Sequence, residues 1–82
     1  MGAKEISYEI IKHIGIISKR GMHTKEINIV SWNGRESVYD LRVWRIGKDG
    51  TKSPLKGISM NEADLLTLKE LLSTIDLGYD NE

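Results

Sequence analysis

Sixty residues of strand-like sequence are followed by one amphipathic helix, and that order limits the fold more than any other feature of the chain. One helix covers only one face of a four-stranded sheet, so the other face must meet a partner, a ligand or water. Tyr8 to Ser18 is β-branched and apolar, with Gly15 a candidate bulge. A polar, Gly-containing turn runs from Ser18 to His23, and Thr24 to Trp32 reads as a second strand. Asn33-Gly34 follows at once, a strong hairpin signal because both residues accept positive φ. Ser37 to Trp44 is the third strand. Asp49-Gly50 marks another turn, and a shorter extended piece covers Lys56 to Ser59.

The helix begins after Asn61, a good N-cap, with Asp64 three residues on as a weak capping box. Leu65, Leu68, Leu71, Leu72 and Ile75 fall within an arc of about 120°, the stripe expected to cover the sheet. Gly78 stands where a left-handed C-terminal residue belongs, which predicts a helix end near Leu77. Leu66 and Leu77 lie off the main stripe, so the helix has more apolar surface than one sheet needs. A chain of 82 residues buries only about 60–65% of its unfolded surface and gains from extra burial. There is no cysteine to form a disulfide, and His13 and His23 are too few to hold a structural zinc. A homodimer through Leu66 and Leu77 is the expected source. The expectation is thus an α+β fold and a single domain over 1–82, with a core of about 8–77 and flexible termini.

Strand alternation sorts the side chains into two faces. Ile27, Ile29, Leu41 and Val43 form the apolar set expected under the helix. The uncovered face then carries Asn28, Trp32, Arg42 and Trp44, with Arg35 near the turn. Aromatic rings stack on unpaired bases, worth roughly 1–3 kcal/mol per base. Guanidinium groups pair with phosphate or stack on bases, and an Asn amide can bond a base edge or a phosphate. Duplex DNA hides its base faces, so this combination suits single strands. The competing reading is that Trp32 and Trp44 pack a core or a dimer interface.

Charge distribution agrees with a polyanionic partner although the net charge is zero. Residues 1–60 hold eleven Lys/Arg against six Asp/Glu, while 61–82 hold one Lys against six acids. A basic sheet and an acidic back follow. No apolar run approaches the ~20 residues that span a bilayer, and MGAKEISYEI lacks the apolar stretch of a secretory signal. A cytoplasmic, nucleoid-associated protein is expected. No phosphate loop, nucleophile elbow or metal-ligand spacing is present, so no catalysis, cofactor, metal or small-molecule substrate is expected. Asp40 reads as a structural ion pair with Arg42, and His13 as a hydrogen-bonded strand histidine. His23, in a basic turn, is a weak candidate for phosphate.

The run KEINIVSWNGRESVYDLRVW, followed by KGISMNEADLLTLKELL, resembles the positive cofactor four family of transcriptional coactivators, especially its short bacterial members. The likeness covers roughly residues 8–77. It implies a curved four-stranded antiparallel sheet, one C-terminal helix, a dimer formed mainly through the helices, and grooves that bind single-stranded or melted DNA with little sequence preference. By position it implies that Trp32 stacks a base, that Arg42 and Trp44 form a basic and aromatic pair, and that Arg35, Lys52 and Lys56 meet phosphate. Asn28 is implied as a polar residue on the same face. Asn33 stands where the eukaryotic form has lysine, Glu36-Ser37 adds one residue, and the acidic, serine-rich tail is absent. The coactivator role is therefore not carried over with the binding. Single-stranded DNA or RNA is the expected partner, and the alternative is a dimeric protein-interaction module.

Overall fold

The structure, a computed structural model, describes residues 6–78. Of the termini expected to flex, residues 1–5 and 79–82 lie outside the described residues. Four strands, β1 (Tyr8–Arg20), β2 (His23–Trp32), β3 (Val38–Ile46) and β4 (Lys52–Met60), precede one helix, α1 (Glu62–Leu72). The strands pair antiparallel in the order β1-β2-β3-β4, the sheet that the family resemblance implies.

The turns form where their residues require. Asn33 and Gly34 both adopt positive φ, at 53° and 75°. Arg35 N–H closes the turn on the Trp32 carbonyl at 2.9 Å, although ladder pairing resumes only at Val30 and Val38. The Glu36-Ser37 segment, expected to carry one extra residue, lies in that gap. In the next turn Asp49 Oδ1 accepts from both the backbone N–H and the hydroxyl of Thr51. Along β1 the register with β2 slips three times, once between His13 and Gly15 at the expected bulge. Repeated bulges bend an outer strand and discourage pairing along its free edge.

Two boundaries differ from the sequence reading. β4 begins at Lys52 rather than Lys56 and runs through Pro54. It is an outer strand, so a residue lacking N–H can face away from the ladder. The helix ends at Leu72, not near Leu77. Ser73 and Thr74 hydroxyls donate to the Glu70 and Leu71 carbonyls, and Thr74 and Ile75 N–H groups bond three residues back, converting the last turn into tight turns. At the other end Asn61 Oδ1 accepts from Asp64 N–H at 2.7 Å, the cap that the sequence predicts.

The two faces of the sheet exchange the roles expected of them. Alternation sorts the residues as predicted, yet the set carrying Asn28 and Trp44 is buried and the set facing the helix is not. Val30 and Trp44 are fully buried, as are Asn28, Asp40 and Glu26. Ile27, Ile29, Leu41 and Val43 remain half-exposed, and α1 contains no buried residue. Curvature is the cause. The β2 partner of Trp44 is Thr24, eight residues before Trp32, a separation of about 26 Å along a flat strand. The two indoles nevertheless stack, with centroids 6.3 Å apart and planes within 7°. Diagonally opposite corners of the sheet have therefore curled together, and the concave side has become the interior.

Candidate nucleic-acid interface

The concave interior is organised by two acidic residues that the strand pattern leaves among apolar neighbours. Glu26 accepts from Thr24 Oγ1 at 2.6 Å, Asn28 Nδ2 at 3.1 Å and Lys52 Nζ at 2.8 Å. Burial opposes its ionisation, but these hydrogen bonds and the Lys52 charge outweigh that and hold the carboxyl below its ordinary range. Asp40 accepts Arg42 Nε and Nη2 side by side, at 2.7 and 2.8 Å, and also Ser59 Oγ at 2.8 Å. This is the ion pair expected from the sequence. His13 is the hydrogen-bonded strand histidine expected, with Nδ1 at 2.7 Å from Asn28 Oδ1. An amide oxygen only accepts, so that ring nitrogen carries the hydrogen.

Held in this way, the cations lie on the aromatic rings. Arg42 Cζ is 4.7 Å from the Trp32 ring centroid, and Lys52 Nζ is 5.3 Å from that of Trp44. Tyr8 completes the cluster with its ring tilted against both indoles, 5.8 Å from Trp32 and 5.2 Å from Trp44. Tilted aromatic pairs and cation–π contacts of this geometry are each worth about 0.5–1.5 kcal/mol beyond area burial.

Of the seven expected binding residues, the structure gathers Trp32, Arg42, Trp44 and Lys52 into one cluster, with Asn28 bonded to Glu26 beneath it. Trp44 is 0% exposed, so in this conformation it is core, the competing reading of the tryptophan pattern. Asn28 is likewise enclosed. Trp32 and Arg42 are half-buried and border an open recess of about 300 Å³ with Ile6, Asn33, Pro54 and Leu55. Arg42 has less freedom to clamp phosphate than its sequence position suggests, because Nη1 also donates to the Leu55 carbonyl at 2.8 Å. Its guanidinium serves better as a flat surface than as a fork. Arg35 and Lys56 are exposed and do not join the cluster. Arg35 follows the turn, and Lys56 borders a recess on the helix-bearing side with Lys25, Leu41 and Ile58. Tyr8, Glu26 and Ser59 were missed by sequence reasoning. Only Glu26 left a signal, an acid in mid-strand on the same face as Asn28.

A further row of basic residues lies at the β1–β2 turn, where Arg20, His23 and Arg45 are ladder neighbours and Lys19 and Lys25 flank them. All five are exposed. This row lies at the end of the sheet where Thr24 pairs with Trp44.

On the opposite side, α1 rests against β3 and β4 and leaves an apolar recess of about 510 Å³ among Ile17, Ile27, Leu41, Leu65, Leu68 and Leu72. Leu66 and Leu77, the expected dimer residues, are both exposed, Leu77 beyond the helix end. Leu71, Leu72 and Ile75, expected to cover the sheet, are exposed as well.

The chain is thus a curled four-stranded antiparallel meander followed by one helix, with a cation–aromatic cluster in its concavity. Residues 21–71, more than half of the chain, match the family model described as Transcriptional Coactivator p15 (PC4), and the chain belongs to that family. It is also 32% identical over 74 residues to an "Uncharacterized protein" of Treponema pallidum (strain Nichols), an alignment that spans 89% of this chain and 84% of the relative.

Proposed function

We propose that this protein binds single-stranded nucleic acid, without catalysis, at the concave aromatic corner of its sheet. The observation that carries the reading is the guanidinium of Arg42 lying over Trp32 beside an open recess. A planar cation and an indole together form a surface on which a base of any identity can stack, which gives affinity with little sequence preference. The exposed Arg35, and the basic row ending in Arg20, His23 and Arg45, supply positive charge along which a phosphate backbone can run. Membership of a family described as a transcriptional coactivator supports nucleic acid over a purely protein-binding role. Participation in transcription, replication or repair, in the cytoplasm or on the nucleoid, follows from that activity.

The working unit in this reading is a homodimer. The apolar recess beside α1 and the exposed Leu66, Leu71 and Leu72 favour a second copy there. The concave corner remains free on the opposite side.

The test is a titration with oligo-dT and with duplex DNA at two salt concentrations, read by tryptophan emission. Oligo-dT should quench the emission and bind more tightly than duplex, with affinity falling steeply as salt rises. Trp32→Ala should weaken binding by about tenfold, within the roughly 1–3 kcal/mol of one stacked base, with a melting curve recorded alongside. Salt-independent binding, or none at all, would refute the assignment and leave the protein-interaction module in its place.

A further inference from the structure

We infer that Tyr8 is a latch that occupies the place of a base, so that nucleic acid gains both indoles only by displacing it. This rests on the reading of the concave corner as a stacking site. Tyr8 lies outside the residues matched by the family model, at the start of β1 opposite Trp32. Its hydroxyl donates to the Lys52 carbonyl at 2.6 Å, joining β1 to β4, the two outer strands, which are not neighbours in the sheet. Its ring meets both indoles at once. Ser7 anchors the same corner, since Asn33 N–H donates to the Ser7 carbonyl at 2.8 Å and Ser7 N–H to Asn33 Oδ1 at 3.1 Å.

With Tyr8 seated, only the Trp32–Arg42 rim of the cluster borders the open recess. Lys52 approaches Trp44, and Trp44 has no surface left for a base. A second observation shows that this closed cluster is incomplete. The indole N–H groups of Trp32 and Trp44 are both enclosed and have no acceptor among the described residues. A buried donor without an acceptor is costly, and that cost disappears if the corner opens onto a ligand rich in phosphate and carbonyl oxygens. Exchange of Tyr8 for a base therefore trades one aromatic contact for another and gives the two donors partners. The Tyr8 side chain itself is held in the closed state by the bond to Lys52 and the packing of its ring.

Tyr8→Phe keeps the ring and deletes the bond, while Tyr8→Ala removes both. The first is mild enough to preserve the fold, and two measurements on each variant test the latch. In the free protein, acrylamide should quench tryptophan emission more in Tyr8→Phe than in the parent, and more again in Tyr8→Ala. In titrations with oligo-dT, Tyr8→Phe should bind about two- to tenfold more tightly than the parent, the ratio represented by one net hydrogen bond. Unchanged acrylamide quenching in Tyr8→Phe would overturn the latch whether or not the protein binds DNA. Increased quenching with weaker oligo-dT binding would overturn it too, making Tyr8 a contact instead of a competitor. If quenching rises but neither parent nor variants bind oligo-dT, the stacking-site reading fails first, and competition with bases falls with it.

Discussion

At the scale of single residues, the interior of this protein is specified by partners more than by side-chain type. Glu26, Asp40 and Asn28 lie at the centre of the sheet because each is surrounded by donors or acceptors it can use, so their burial leaves no charge unpaired. Gly57 has the opposite logic: it is required by what it lacks. It faces Arg42 where the β3–β4 register slips, and a Cβ there would fall 2.0 Å from Arg42 Cβ and 2.6 Å from the Leu41 carbonyl oxygen. Backbone cannot yield as a side-chain tip can. Gly57→Ala should therefore cost roughly 2–3 kcal/mol, seen as a lower urea midpoint with an unchanged slope. A loss below about 0.5 kcal/mol would mean that the strands separate easily there. The need for Gly57 was not legible in the sequence, since a glycine in a strand signals a close approach without naming what approaches.

At the scale of elements, the helix is well specified at its start and unfinished along its side. Asn61 and the acids of the first turn set its beginning, and the Leu65–Leu68 stripe orients it. Only Leu65 and Leu68 gain even partial cover from the sheet. A second copy packed on this face would shelter the exposed leucines and fill the apolar recess. Leu71→Asp places a charge in the middle of that face while touching little within the monomer. Sedimentation equilibrium should show a dimeric parent and a folded, monomeric Leu71→Asp protein. A parent that stays monomeric at high concentration would disprove the dimer, and an equally dimeric variant would move the interface elsewhere.

For the whole molecule, the curl of the sheet couples the proposed stacking surface, the core and acid stability. Glu26 ties β2 to Lys52 at the start of β4, across the concavity. Its carboxyl ionises below the ordinary value of 4.5 in the folded chain, so the unfolded chain binds more protons in the interval between the two values. Stability therefore rises with pH through that interval, is complete above 4.5, and is lost as the pH falls through the depressed folded value. Unfolding midpoints measured down a pH series should be level above 4.5 and drop below it. Glu26→Gln should flatten the acid limb while lowering the plateau, because the amide cannot satisfy Lys52 as a carboxylate does. An acid limb unchanged by Glu26→Gln would assign that loss to other carboxyls.

Local chemistry was enough to determine the first three strands, the turns at Asn33-Gly34 and Asp49-Gly50, the cap at Asn61 and the alternation that puts Asn28, Arg42 and Trp44 on one face. Each depends on residues close together in the chain, and periodicity reports such constraints directly. The antiparallel sheet was implied by the family resemblance. Which face would be enclosed was decided only by the tertiary structure. Alternation assigns side chains to a face but carries no information about curvature, which accumulates over whole strands and through bulges. That curl brought Trp32 to Trp44 and Tyr8 to Lys52, and so turned a surface expected to be open into an interior with a recess at its rim.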